Sequence, residues 1–533
     1  MNEISRRDFL KTTAIGTLGV ASVGVLGGCS SDKSTTDKDD GTKQTKVTHK
    51  PVRTETCDMV VVGSGTAGMC AAVRAAELGA SVILLEKRSI YGGTSLFAEG
   101  VGGFNSFMHK ATGMEFDINE AVIKCQEYHH WSADTACLQR YMSESGKTID
   151  WLKNCGAQFL VATTVSGGYP TWHLLSNDKG QSTSVGEGVL KPLYNYSRKI
   201  GVNLRVSHPA TDLIVENGTV EGVYVNDEKK KEEYAIKAKT VVLATGGYAN
   251  NKEIFERFTQ LDFDSIWNYG QPDGRDGDGI TWAKEFGAAL HYPDAVMFGV
   301  PTVYGIKTHT DKINFLFTHQ PNLRINERGL RYMNEDKALD FGITGNTLRA
   351  QARAYSLFDQ AYLDMFQKQA VIFPDPLNRY PAGTPMSDAY DVINEQIEKG
   401  RVKKCASIAE LAKVIGCDVN TLQGTLDKYN QACAIGKDLE FFTPAPLLYA
   451  VKTPPYYIAR LQNTMFTTVG GLRVDEYFRV TNTEGKPIPG LFALGNDASS
   501  IYGHDYDVGI MSGSQQGWCA TGGRLVAEMV FSK

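Results

Sequence analysis

Apolar and polar positions follow two rhythms along the chain. Met59-Val60-Val61-Val62 is a short, mostly β-branched apolar run, the pattern of a strand buried on both faces of a parallel sheet. The alanine-rich stretch 69–78 predicts a helix stopped at Gly79, and 81–85 predicts the next strand, ending in Glu86. Residues 118–154 predict two helices, with Ala121, Val122, Cys125, Tyr141, Ile149 and Leu152 facing inward and Asp117 and Asp134 as N-caps. Segments 203–206, 210–216 and 220–226 alternate apolar and polar residues and predict a small antiparallel insertion. Thr240-Val241-Val242-Leu243 repeats the buried-strand pattern. From about 296 to 463 the character changes to mixed Pro, Tyr, Phe and polar residues, with helices expected near 388–399, 407–415 and 419–434. The first rhythm returns at 467–474 and 489–496. The fold class is α/β, a Rossmann-like domain interrupted by a second one, and 533 residues exceed the usual size of a single core.

The turn after the first strand is Gly63-Ser64-Gly65-Thr66-Ala67-Gly68. Gly63 permits the tight turn, Gly65 lets backbone approach a pyrophosphate, and Gly68 lets the helix pack close to the sheet. Glu86, 23 positions after Gly63, is placed to accept hydrogen bonds from adenosine ribose hydroxyls. Strand, turn, helix and acid agree on a bound dinucleotide. Gly92-Gly93-Thr94-Ser95 and Gly100-Val101-Gly102-Gly103 follow, too glycine-rich for regular structure.

With these motifs the chain resembles the fumarate reductase and 3-ketosteroid dehydrogenase superfamily of flavoproteins, and the resemblance extends over nearly the whole sequence beyond its first segment. It implies FAD bound in a glutathione-reductase-type domain over 54–295 and 464–533, with an α+β capping domain over 296–463 that closes on substrate. It further implies FAD contacts from Lys87, Gly93, Thr94, Ser95, Gly100, Gly102 and Gly103. The same holds for Ala244-Thr245-Gly246, Asp278, Gly495, Asn496 and Ser512. No histidine stands at 94–95, unlike the covalent succinate dehydrogenase type, so the FAD is expected to be noncovalent.

Two carboxylates in a closed site need charged, hydrogen-bonding partners, and the superfamily's dicarboxylate enzymes supply histidines and arginines. Here the corresponding positions are Val300, Leu339, Thr467 and Tyr506, and the proton relay falls near Phe315 and Thr318. Fumarate turnover is therefore not expected. Tyr502-Gly503-His504-Asp505-Tyr506-Asp507-Val508-Gly509 instead resembles the ketosteroid dehydrogenases, which hold a substrate carbonyl between a tyrosine hydroxyl and a glycine N–H; Tyr506 and Gly509 would be that pair. Those enzymes place a catalytic tyrosine where this chain has Leu339, which leaves the proton donor open among Tyr304, Tyr169, His504, Lys337 and Asp340. The loop 166–173 adds three rings, Tyr169, Trp172 and His173, that face either substrate or packing.

Composition narrows the remaining choices. A net charge of −5 with 22% charged residues argues against nucleic acid as the main partner. Ser5-Arg6-Arg7-Asp8-Phe9-Leu10-Lys11 reads as a twin-arginine signal, and Leu26-Gly27-Gly28-Cys29 resembles a lipobox. That predicts a signal over 1–29, lipidation at Cys29, and a disordered polar tether over 30–53. Nine cysteines remain after Cys29, with no CxxC or CxxCH, so no haem, iron–sulfur or metal site is expected. Without a second GxGxxG no NAD(P)H site is expected either, and electrons come from an external donor, a membrane-linked cytochrome or quinol-linked protein. The expectation is an exported, lipid-tethered FAD enzyme that reduces a C=C bond conjugated to a carbonyl, in an uncharged and cyclic or aromatic substrate. The alternatives are a ketosteroid-type dehydrogenase running in the oxidative direction and a flavin electron-transfer lipoprotein without chemistry of its own.

Overall fold

The apolar run 59–62 forms the buried end of β1 (Thr54–Val62), whose first half alternates between exposed and half-buried positions. β1 is the central strand of the larger sheet. It runs parallel to β2 (Val82–Glu86), with Val60 opposite Ile83, and to β6 (Glu232–Leu243), with Val60 opposite Val241. Between β1 and β2 the chain crosses over through α1 (Thr66–Glu77), as parallel neighbours require. β6 changes partner along its length. Its first half pairs antiparallel with β5 (Thr219–Asp227), which in turn pairs with β4 (Ala210–Glu216), and its second half pairs parallel with β13 (Pro487–Ala493). β12 (Arg479–Thr481) closes that edge.

The computed structural model describes residues 48–268, 273–308, 311–369, 371–374, 381–498 and 500–532. The twin-arginine motif, Cys29 and the tether up to residue 47 lie outside the described residues. The last tether positions depart from the expected disorder. His49 stacks on Tyr224 at 3.8 Å and meets the Glu233 and Asp212 carboxylates, while the Val52 N–H donates to Glu233 O, so this stretch lies along the β4–β6 ribbon.

A second correction concerns β3 (Asn203–Val206), which was expected in the antiparallel insertion. It pairs parallel with β2, Leu84 opposite Leu204, and joins the main sheet. Alternation alone does not distinguish the two partnerships; the preceding helix Lys191–Lys199 supplies the crossover a parallel strand needs. The two helices expected over 118–154 form as α2 (Ile118–Tyr128) and α3 (Thr135–Asn154), and Asp117 and Asp134 accept the N-cap hydrogen bonds.

The second sheet is built around β11 (Tyr456–Thr468). Its first half pairs with β9 (Ala354–Asp359) and β10 (Val402–Cys405); its second half pairs with β7 (Val296–Val303). β8 (Leu323–Asn326) flanks β9. The expected helices of this region form at Ala389–Glu398, Ile408–Ile415 and Val419–Ile435, where Ser407 and Asp418 cap the last two. α6 (Ser514–Phe531) returns to the main sheet and packs on α1 so closely that a Cβ at Gly523 would lie 2.5 Å from Ala67 O.

Candidate active site

A long cleft opens at the carboxyl ends of the parallel strands, where open α/β sheets place their ligands. Val62, Glu86, Ala244 and Leu494, at or just past the ends of β1, β2, β6 and β13, all line it. At the glycine turn, Gly63 adopts φ +102° and a Cβ there would sit 2.1 Å from Ala244 O, so the turn itself excludes any other residue. Gly68 is required by the close helix–strand contact, its Cβ position lying 1.9 Å from Gly63 O. Gly65 differs. The nearest atom to a Cβ there is Ser95 Oγ at 3.6 Å, so nothing in the protein demands glycine, and the open space is the cleft.

The polar lining leaves room for a ligand's hydrogen bonds. Thr66 Oγ1, Arg88 Nη1, Gln515 Oε1 and Gln516 Oε1 are buried without a partner among the described residues, and all four residues line the cleft. Glu86 is held at its rim: Oε2 accepts from Ser64 N (3.2 Å) and Oγ (2.6 Å), and Oε1 accepts from Arg88 N (2.9 Å). Lys87 Nζ pairs with Asp276 (2.6 Å) and Asp278 (2.7 Å). Ala67, Gly93, Thr94, Ser95, Gly100 and Gly246 also line the cleft. A dinucleotide with its pyrophosphate over Gly65 and its ribose at Glu86 fits this donor set and this vacated Cβ position.

Asp497 ties the segment after β13 to the loop after β6. It is buried, and it accepts from Thr245 Oγ1 (2.8 Å), Thr245 N and Gly247 N (2.9 Å). Burial pushes its carboxyl up, and these hydrogen bonds oppose that shift. The neighbouring Asn496 donates to Thr467 Oγ1 (2.9 Å) and accepts from Gln515, which ties Gly495-Asn496 to β11 and α6.

Three expected cofactor contacts lie a layer back. Gly102 packs against Gly513, Gly103 against Ile149, and the Ser512 hydroxyl accepts from Val165 N; none of the three lines the cleft. Gly102 seats the start of α6 against the glycine-rich segment, and Gly103 seats α3 there.

The far half of the cleft is formed by Trp172, Met297, Val300, Phe341, Phe466 and Val508, with Thr464, Thr467, His319 and Tyr506 as polar members. Tyr506 is buried and stacks on Phe341 at 5.9 Å. Burial, with the Asp507 carboxylate nearby, pushes its phenol well above the usual range; the Ser514 hydroxyl and the N–H groups of Gly513 and Gln515 oppose this. Gly509 does not share the cleft with Tyr506. A Cβ there would lie 2.1 Å from Asp340 Oδ2, so the expected donor pair is not assembled.

The proton-donor candidates are also redistributed. Tyr304 is 49% exposed under the Arg460 guanidinium, and the His504 side chain is 59% exposed against Tyr292; neither lines the cleft. Lys337 pairs with Asp336 at the surface, Asp340 is engaged by Tyr128, and Tyr169 packs between Phe104 and Phe116. Of the three rings in 166–173, Trp172 alone reaches the cleft, and His173 is buried on Ser106. Tyr304 and His504 lie on irregular segments, whose side-chain directions have no period to read.

Two cleft residues carried no sequence signal. Arg275 spends its guanidinium on neutral acceptors: Nε on Asn250 Oδ1 (2.6 Å), Nη1 on Phe466 O (2.7 Å) and Nη2 on Asn268 Oδ1 (3.0 Å). His319 enters from the loop before β8.

Residues 58–509 match the family described as FAD binding domain. The chain is 31% identical over 481 residues to a vinyl phenol reductase from Lactiplantibacillus plantarum, covering 88% of this chain and 94% of that one. It is 28% identical over 491 residues to a cytochrome-type fumarate reductase from Shewanella frigidimarina, covering 89% of this chain and 77% of that one. Among solved structures, a 3-ketosteroid-Δ4-(5α)-dehydrogenase from Rhodococcus jostii RHA1 has the same fold, with a TM-score of 0.71, 24% identity, and coverage of 90% of this chain and 97% of that one. Fold, cleft and relatives converge: the chain belongs to the FAD binding domain family and is an FAD-dependent oxidoreductase acting on CH–CH groups.

Proposed function

We propose that the enzyme reduces a C=C bond in a neutral aromatic or cyclic substrate, conjugated to an oxygen that gains charge as the bond is reduced. The observation that carries this reading is the charge of the far half of the cleft. The positions that would bind a dicarboxylate are Val300, Leu339, Thr467 and Tyr506, and Arg275 is occupied by three neutral acceptors. A substrate carboxylate entering there would lose its hydration without meeting the set of histidines and arginines that the dicarboxylate enzymes supply at those positions, a cost of several kcal/mol. An aromatic ring instead finds Trp172, Phe341 and Phe466. The 31% identical relative, a vinyl phenol reductase, supports the same substrate class.

When bound, noncovalently in this reading, FAD supplies the hydride and its electron pair. Tyr506 acts on the substrate oxygen. Its phenol stays un-ionised, so it donates a hydrogen bond to the oxygen as charge gathers there, a contribution of about 2.7–4 kcal/mol for a well-placed donor. The apolar walls exclude water from the reacting carbons, and residues 296–463 act as the cap over them.

The test is anaerobic reoxidation of the viologen-reduced enzyme by 4-vinylphenol, a cyclic enone, urocanate and fumarate. The neutral substrates should reoxidise it at least about 100-fold faster than fumarate, the scale set by an unpaired buried charge. Fumarate as the fastest oxidant would refute the reading. We also propose export by the twin-arginine route, lipidation at Cys29 and electron supply from a membrane-linked cytochrome or quinol-linked protein, supported by Ser5–Lys11 and the Leu26-Gly27-Gly28-Cys29 motif. Membrane-bound enzyme that stays membrane-bound after Cys29→Ala would rule out the lipid anchor.

A further inference from the structure

The loop between α4 (Lys312–Phe317) and β8 is held by more polar side chains than a surface connection needs. Arg324, in the middle of β8, is buried, and its guanidinium is spent on backbone carbonyls of this one loop. Nη1 donates to Phe317 O (2.5 Å), and Nη2 donates to Thr318 O (2.7 Å) and Gln320 O (3.4 Å). Burying a cation against neutral acceptors is costly, so the geometry it maintains is an expensive one. Asn314 O accepts from Thr318 N and Thr318 Oγ1 (both 2.7 Å) and from His319 N (3.3 Å). Asn322 Nδ2 donates to Leu316 O (2.7 Å), and Gln320 Oε1 accepts from the N–H groups of Ile372 and Phe373 (3.0 Å each). From the centre of this clamp His319 extends into the far half of the cleft, buried, with its ring edge-on to Phe315 at 5.6 Å.

We propose that His319 is the proton donor of the reaction, an assignment that rests on the alkene-reducing function above. In the step, the C=C π bond breaks. One carbon takes the hydride supplied by the reduced cofactor, and the other takes a proton from the His319 imidazolium, leaving neutral imidazole that solvent reprotonates. The cofactor's electron pair is restored by an external reductant, reduced viologen in the assay. The alternatives in the cleft are poorer acids. The Tyr506 phenol holds its proton too tightly, and the hydroxyls of Thr464 and Thr467 do not ionise in this range. Imidazole is the side chain that exchanges a proton near neutrality without help. The clamp through Arg324 supplies what a general acid needs besides a suitable pKa, a fixed position relative to the acceptor carbon.

The experiment compares wild type and His319→Gln, both loaded with FAD and reduced anaerobically with viologen. FAD absorbance, and the affinity for 4-ethylphenol read from its perturbation of that absorbance, should match wild type. Reoxidation by 4-vinylphenol should slow by about 100-fold to 10,000-fold. Reoxidation within about threefold of wild type, well below the general-acid range, overturns the assignment. If His319→Gln does not retain FAD, His319→Ala with added imidazole replaces it: recovery of about tenfold or more supports the assignment, and no recovery overturns it. The functional reading fails separately. A wild-type enzyme that ignores vinylphenol and enones but is reoxidised by fumarate refutes that reading, and the His319→Gln comparison on fumarate still decides the acid. A wild type inert to every alkene overturns both.

Discussion

Gly63 and Gly65 sit two positions apart in one motif and are required for different reasons. Alanine at 63 meets both a left-handed backbone and the Ala244 carbonyl, so Gly63→Ala should destabilise the apoprotein by at least about 1–2 kcal/mol in urea unfolding. Alanine at 65 meets only ordinary contacts, so Gly65→Ala should leave apoprotein stability within about 0.5 kcal/mol. It should instead weaken FAD retention by about tenfold or more, measured by flavin release on dilution, because its methyl occupies the path of the pyrophosphate. Equal losses of apoprotein stability in the two variants would remove the case for a ligand over Gly65. At this scale much was legible. The spacing of Gly63, Gly65, Gly68 and Glu86 is short-range information, set within one βαβ unit. His319 and Arg275 were not legible, because a lone histidine or arginine in an irregular stretch has no pattern that tells a cleft position from the surface.

Asp340 shows what an element end can store. It caps α5 (Phe341–Arg349), accepting from Ile343 N (3.2 Å), and also accepts from the Tyr128 hydroxyl (2.9 Å). Burial pushes its carboxyl up to about 6, against the pull of those two hydrogen bonds. A carboxyl with a folded pKa above its unfolded value binds its proton more tightly when folded. Its contribution is therefore favourable at low pH and is lost as pH rises from about 4 to about 6. By pH 7 the loss is at most about 3 kcal/mol, two units at about 1.4 kcal/mol each. Asn is as good an N-cap and carries no charge, so Asp340→Asn should be more stable than wild type by about 1–3 kcal/mol at pH 7.5, with the gain absent at pH 4. Urea unfolding at the two pH values checks this; a variant weaker than wild type at pH 7.5 contradicts the buried-carboxylate account. The capped helices over 118–154 were legible because caps are local, as at Asp117 and Asp134. The partner of β3 was not, since pairing direction depends on a strand more than a hundred residues away.

Across the molecule, the cleft takes one wall from near the start of the described chain and another from near its end. Ser64 and Glu86 line it together with Asn496 and Gln515, and β11 carries Thr464, Phe466 and Thr467 from the second sheet into the same space. A ligand there holds both ends together, so removing FAD should lower stability by about 2.7 kcal/mol relative to holoenzyme at 100 times its dissociation constant. Thermal melts of apo and reconstituted protein, with unchanged melting on reconstitution as the contrary result, test the point. The cofactor and the α/β class were determined by sequence alone, because each depends on motifs and residue identities at short spacing. Only the tertiary structure decided which polar groups reach the far half of the cleft. It set Tyr304 and His504 outside, turned Gly509 onto Asp340, and brought in His319 and Arg275. The physical reason is that side chains on irregular segments are aimed by long-range packing and by clamps such as Arg324, which leave no periodic trace in the chain.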